Sequence, residues 1–395
     1  MYIRLLIFLL ITPLVIHYSI AQGVHFTDTV YHSKEQGKIK SIISYKAYQN
    51  DTVKEGPAFY YYPTGRLWQK GFHKEDLLDS IWTICFANGR IRSEINFSRG
   101  LKNGPFAYYH DNGNVRNEGF YRNDSLEGLL TIYFPDGQVN ETRHYKGDKL
   151  NGMSTGYYPD GNLNYRFEYA DSIQNGIYET YYPSGNIKEK GTRKARVFYD
   201  LYQTFYENGQ VEKEFYYKNG VIDGPYRVYH ENGMLMTRST YVNGRMEGQS
   251  QSFHSNGSLY ETGQYKAGKR EGIWETYYPD STLYMEGRYS QNQASGQWKV
   301  YHPNGQLKQV GEFKQGISEG PWKFFYDNGQ VRMKGSYLNN KEHGKWVHFY
   351  ENGKVKMDLN YNEGMLEGIQ MGFDEEGNLI EKAEYFDNRL IRKIK

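Results

Sequence analysis

Hydrophobic, aromatic and glycine positions along this chain return every 24 residues. Glycine closes a tight-turn motif at Gly65, Gly89, Gly113, Gly137, Gly161, Gly185, Gly209, Gly233, Gly257, Gly305, Gly329, Gly353 and Gly377, each step a multiple of 24, and only Ser281 breaks the series. A second column starts at Gly56, passes through Gly104 and ends at Gly368; it is glycine at 12 of 14 positions, with Ser80 and Asp200 as substitutes. Two residues after each turn glycine stands Leu, Ile or Val, from Leu67 through Leu307 to Leu379. Four residues before it stands Tyr or Phe, as at Tyr109, with Cys85 as the exception. Eight residues after it stands Tyr or Phe, as at Tyr121, Tyr145 and Tyr337, with His73 and Arg193 as exceptions. Self-similarity at this period marks an array whose units cannot bury a core alone.

Each unit reads as two strands. The stretch GIWETYYPD (272–280) is aromatic, β-prone and ends in a Pro-Asp turn, and the return stretch GQLKQVGEF (305–313) alternates. Turns of the Tyr241-Val-Asn243-Gly244 type lead to the next unit, Asn-Gly being the preferred two-residue hairpin turn. The pattern predicts an all-β fold: an elongated, twisted antiparallel sheet of stacked β-hairpins, a 24-residue repeat solenoid. Strict alternation would place Leu307, Gly311 and Phe313 on one face. Whether Tyr61-type or Tyr62-type residues share that face depends on turn length. The predicted organisation is a signal peptide at 1–21, an N-terminal cap with a partial repeat at 22–55, fourteen repeats at 56–391 and a charged C-terminal end at 392–395. Two repeats are degenerate, one containing Leu77 to Cys85 and one at Arg193 to Asp200, the latter either a bend or a docking spot.

Composition supports this picture and narrows the function. Of 395 residues 38% are hydrophobic, too few for one large conventional core, yet 17% are aromatic, including 40 Tyr, which disordered chains do not carry. Lys and Arg (48) nearly balance Asp and Glu (46), so net charge +2 gives no case for nucleic acid. A single cysteine, Cys85, excludes an intramolecular disulfide and a cysteine-based zinc cluster. Arg4, an apolar run from Leu5 to Ile16 and small residues at Ser19 and Ala21 form a secretory signal, too short for an integral membrane span. Cleavage between Ala21 and Gln22 would leave a periplasmic or secreted chain.

Units such as GPFAYYHDNGNVRNEGFYRND (104–124) and GPWKFFYDNGQVRMKGSYLNN (320–340) resemble the MORN-repeat variant of bacterial proteins of the YwqK antitoxin type. That resemblance covers about residues 56–392. It implies a twisted sheet of stacked hairpins acting as a binding surface, with no catalytic residues to carry over, and members of the antitoxin type neutralise a partner toxin.

Candidate chemistry is sparse. His110, His230, His254 and His302 hold equivalent positions, but equivalent residues lie two strands apart, about 9.6 Å, too far to share a zinc ion. Acidic residues before the second glycine (Glu55, Glu127, Asp223, Glu247, Glu271, Glu319, Glu367) alternate with Asn and His, as a turn position does. Basic residues Arg92, Arg116, Lys188, Lys308, Arg332 and Lys356 form an interrupted stripe, read as a solvated face. The expectation is therefore no enzyme, no catalytic residue, no metal and no cofactor. The sharpest feature is Trp274, Trp298, Trp322 and Trp346, two residues after the second glycine in four successive repeats. They read either as core packing or as an aromatic ladder on a binding surface. The expected partner is a protein, with a polysaccharide as the alternative.

Overall fold

The computed structural model describes residues 23–33, 35 and 37–395. The expected signal peptide lies outside them. Every regular element among the described residues is a strand, and successive long strands pair antiparallel, the short strands Ser125–Leu126, Arg245–Met246 and Met365–Leu366 pairing back onto the strand before them while that strand pairs on with the next. The chain divides into two compact units, one up to Gly152 and one from Met153. The first opens with strands Val24–Ser33 and Lys38–Ala47 and continues into the first four repeats; the second contains the other ten.

Two turns alternate. At the Pro-Asp type, the Ser281 N–H donates to the Tyr278 carbonyl (2.9 Å) and the Tyr278 N–H donates to the Thr282 carbonyl (2.8 Å), a pattern recurring from Tyr62 to Asp374. Its closing residue is left-handed, φ +85° at Gly65 and +71° at Ser281, which explains the near-invariant glycine column. The second turn has positive φ at both central residues, 49° at Asn243 and 77° at Gly244, the type I′ geometry that suits strand twist. Sequences without glycine accept the same shape, for example Ala195 and Arg196 at φ 50° and 74°.

The second glycine column marks an irregularity inside the strand. All fourteen positions are left-handed, including Ser80 and Asp200, both at φ 60°. There the ladder with the preceding strand skips: Lys70 pairs with Thr83, but Phe72 pairs with Asp79. A second shift recurs beyond the other turn. Val300 pairs with Gln309 and Tyr301 with Leu307, so Lys308 is an extra residue. Strict alternation from Leu307 to Gly311, expected from the sequence, therefore fails; the bulge puts Leu307 opposite Tyr301, while Gly311 lies opposite Trp298. It also settles the tyrosine question. Tyr301 donates from its hydroxyl to Glu286 (2.8 Å), on the side away from Trp298, so the residue four before the turn glycine faces away from the tryptophan side.

Because Ser281 holds a conformation that glycine adopts freely, Ser281→Gly is expected to stabilise the chain by roughly 1 kcal/mol, whereas Gly305→Ala at the equivalent turn should destabilise it by a similar amount. The urea midpoint reads both changes; a lower midpoint for Ser281→Gly would contradict this account of the turn.

Candidate functional site

The four expected tryptophans lie inside the repeat array. Trp274, Trp298, Trp322 and Trp346 are 4%, 8%, 6% and 2% exposed. Each indole lies against a glycine eleven residues earlier: a Cβ built on Gly263, Gly287, Gly311 or Gly335 would sit 2.0 to 2.2 Å from the ring. Between the indoles stand the eight-after aromatics, giving a continuous edge-to-face row Tyr265, Trp274, Tyr289, Trp298, Phe313, Trp322, Tyr337, Trp346 with centroids 5.0 to 6.2 Å apart. Indole N–H groups of Trp274, Trp298 and Trp346 donate to the carbonyls of Gln264, Arg288 and Ser336 at 3.1 to 3.2 Å. The Arg270 guanidinium covers Trp274 at 4.0 Å. Buried to this degree, the rings pack the sheet and offer no stacking platform to a ligand, so the surface reading of the four is corrected to core packing. A fifth member, Trp82 over Gly71, stands in the degenerate repeat, outside the run of four that the sequence displays.

The histidines of the equivalent column tie repeats together. Nε2 of His110, His230, His254 and His302 is hydrogen-bonded to the carbonyl 23 residues later, at 3.0 to 3.3 Å. Tyrosines at the same position do likewise: the hydroxyls of Tyr62, Tyr182, Tyr278 and Tyr350 donate to Cys85, Phe205, Tyr301 and Phe373 at 2.8 to 3.1 Å. No group of three or more potential ligands is close enough to hold a metal among the described residues.

The acidic column has an equally local task at the opposite turns. Glu55, Glu127, Asp223, Glu247, Glu271 and Glu319 accept from the backbone N–H 20 residues later, at 2.7 to 3.2 Å. The basic column covers rings: Arg92, Arg116, Lys188, Arg332 and Lys356 lie 5.3 to 6.0 Å from Phe86, Tyr108, Tyr182, Phe324 and Tyr350. At Arg193, which replaces an aromatic, the guanidinium sits between Tyr178 (4.5 Å) and Phe198 (4.4 Å), and the flanking strands keep the usual register. Burial pushes the thiol of Cys85 up and keeps it protonated. Burial likewise raises Tyr121 to about 12, helped by Tyr108. Glu286 lies below its ordinary value because Lys299 and Tyr301 donate to it.

One feature of the first unit had no signal in the columns. On the side away from Trp82, Phe72, Ile81, Phe120 and Leu129 are 37%, 53%, 41% and 47% exposed. Exposed Pro57 and Pro105 share their row, since Pro57 pairs with Phe72 and Pro105 with Phe120. In the second unit the same register mixes polar residues such as Thr240, Gln249, Gln264, Gln297 and Glu312 with exposed Ile177, Tyr216 and Ile273. The exposed apolar residues stand closest together in the first unit, an arrangement that shows in the sequence only once the residues that the bulges place side by side are known.

Replacing His302 by Ala removes the donor to Phe325 and should cost about 1 kcal/mol, while His302→Tyr restores it, and added zinc should leave the unfolding midpoint of the parent chain unchanged. A zinc-dependent rise abolished by His302→Tyr would overturn the clasp and revive a metal site.

Thirteen segments match the MORN repeat variant: 54–75, 102–123, 126–146, 150–171, 174–195, 201–219, 222–243, 246–267, 270–291, 294–315, 318–339, 342–363 and 366–388. The gap at 76–101 is the degenerate repeat with Leu77 to Cys85, whose strands nevertheless pair in register. No curated protein matches the chain. Solved structures similar to it include TcdB2-TccC3 without its hypervariable C-terminal region (11% identity, TM-score 0.17, 92% of this chain and 23% of that one). Another is the Photorhabdus luminescens Tc holotoxin pore (11%, 0.16, 93% and 24%). The chain thus spans about a quarter of the length of those proteins, and TM-scores this low carry no argument. On the thirteen matched segments, which cover most of its length, the chain belongs to the MORN repeat variant family.

Proposed function

We propose that this is an exported, non-enzymatic repeat protein whose open sheet holds another protein. The observation that carries the reading is the exposed row Phe72, Ile81, Phe120 and Leu129, because contiguous apolar side chains left in water mark interaction surfaces. The columns that suggested chemistry support a non-catalytic role. The histidines and acidic residues are engaged with backbone groups, as turn and clasp residues are. The tryptophans are covered, so no observation favours a polysaccharide. Among the described residues no helix is long and apolar enough to cross a membrane. Neutralising a partner toxin, as the resemblance to the antitoxin type implies, would be one form of the same activity. The signal-like start adds that the chain works in the periplasm or outside the cell after cleavage between Ala21 and Gln22.

Two measurements test this. Intact mass of the chain purified from its native host should correspond to a start at Gln22; recovery of the full-length chain from cytoplasm would overturn export. Envelope and medium fractions passed over the mature chain should yield a stoichiometric protein partner, and retention of none would overturn the binding reading.

A further inference from the structure

We infer that the apolar row of the first unit is the seat of an amphipathic helix carried by the partner protein, with basic residues along one flank of that helix. This rests on the protein-binding reading above and names the chemistry of the partner.

The row crosses the strands at right angles. Three paired rungs form it, Pro57 with Phe72, Ile81 with Asn96 and Pro105 with Phe120, and Leu129 continues it, one residue on each of seven adjacent strands. Between rungs the ladder shifts, Phe72 pairing with Asp79, and the polar Asn96 is engaged by donating to the Pro105 carbonyl (2.7 Å). Six steps of about 4.8 Å make it about 29 Å long. An added strand cannot be what covers it: each interior strand already pairs on both sides, so this face offers no free ladder groups. An extended segment laid across it would press its own N–H and C=O groups onto Phe and Leu side chains without partners, which is costly. A helix satisfies its backbone internally and presents a single apolar stripe. At 1.5 Å per residue, about 19 residues of helix would span the row.

Charge fixes the flank. Beside the row, towards the Pro-Asp turns, stand Glu94 and Glu118 on the same face, opposite Thr83 and Ala107. Each accepts a tyrosine hydroxyl, from Tyr109 (2.9 Å) and Tyr133 (2.6 Å), and among the described residues neither is in an ion pair. The two carboxylates are two strands apart, about 9.6 Å, and residues seven apart on a helix are separated by about 10.5 Å. Lys or Arg at that spacing would meet both. Lys70 precedes them on this flank, so the acidic stretch has one end and gives the helix a direction. At that same end the row opens into a recess lined by His25, Thr27, Ser44, Gly56, Pro57 and Phe72, room for one large terminal anchor.

The probe is a designed 20-residue peptide with Leu at i, i+3, i+4 and i+7 spacing, Lys seven residues apart on one flank and one photoreactive Leu. Controls are the same peptide with two central prolines and one with Glu for Lys. Fluorescence anisotropy should show binding of the helical peptide, a loss of about tenfold or more with Ile81→Ser, Phe120→Ser and Leu129→Ser combined, and a loss of roughly threefold, with weaker salt dependence, with Glu94→Gln and Glu118→Gln combined. The substituted side chains are exposed or partly exposed, and an unchanged unfolding midpoint shows that the variants fold. Crosslinks should fall between residues 57 and 144. Equal binding by the triple variant, equal binding of the proline peptide, or crosslinks confined to the second unit would overturn the inference. A host protein retained equally by parent and triple variant would overturn it while leaving the protein-binding reading standing. Retention of no host protein by either would overturn that reading itself.

Discussion

A flat indole can lie on a β-strand only where that strand carries no side chain, and this steric condition organises the repeat. All five buried tryptophans, Trp82, Trp274, Trp298, Trp322 and Trp346, follow a glycine by eleven residues, and a Cβ at any of those glycines would fall inside the ring. Where the glycine is replaced by Phe167 or Phe215, the residue eleven later is Tyr178 or Tyr226, and the two rings stack at 4.9 and 5.2 Å instead. The pairing spans one turn and one strand junction, so any change in turn length would break it. That is a physical reason for the constant period of 24. A single layer of sheet has no second layer to shield it, and the large ring folded flat over a bare backbone provides the shielding from within.

Hydrogen bonds at the two edges extend the same dependence of each repeat on its neighbours. At one edge a Tyr hydroxyl or His ring reaches the carbonyl of the next repeat. At the other, the second residue of each type I′ turn donates to a carbonyl 22 residues back, and where it is Asp or Asn its side chain accepts the N–H of that same earlier residue, as Asp124 does from Lys102 (2.7 Å). Such bonds hold left-handed turns that lack glycine. A lone hairpin would keep few of these contacts, in line with the marginal stability of isolated two-stranded units.

The fold was largely legible because the glycine and aromatic columns follow directly from turn geometry and alternation. Hairpins, both turn types and the degenerate repeats could be located from spacing alone. What spacing could not show was which columns touch. The glycine at 311 and the tryptophan at 322 look unrelated in the sequence, and only the ladder between their strands, in the register that ends with the shift between Val310 and Glu312, brings them together. The other shift, after Val300, takes Leu307 off the face of Gly311. Trp82 was hidden by the serine at position 80, which takes the left-handed conformation without being glycine. The exposed row was hidden for a different reason: along the second unit its register mixes apolar residues such as Ile177 and Ile273 with polar ones such as Gln249 and Gln297, so it forms no column. Family membership describes the repeat that all units share, whereas a recognition surface lies in what one unit does differently.

The central claim is that indole and bare backbone form one joint, and a double-mutant cycle at Gly311 and Trp322 tests it most directly. In the parent chain Gly311→Ala drives a methyl group into the ring and should cost roughly 1 to 3 kcal/mol; in a Trp322→Ala background, where the ring is gone, the same substitution should cost close to nothing, giving a coupling of about that size. Equal costs in the two backgrounds, measured by urea unfolding, would show that the glycine is kept for its own conformation and would contradict the account.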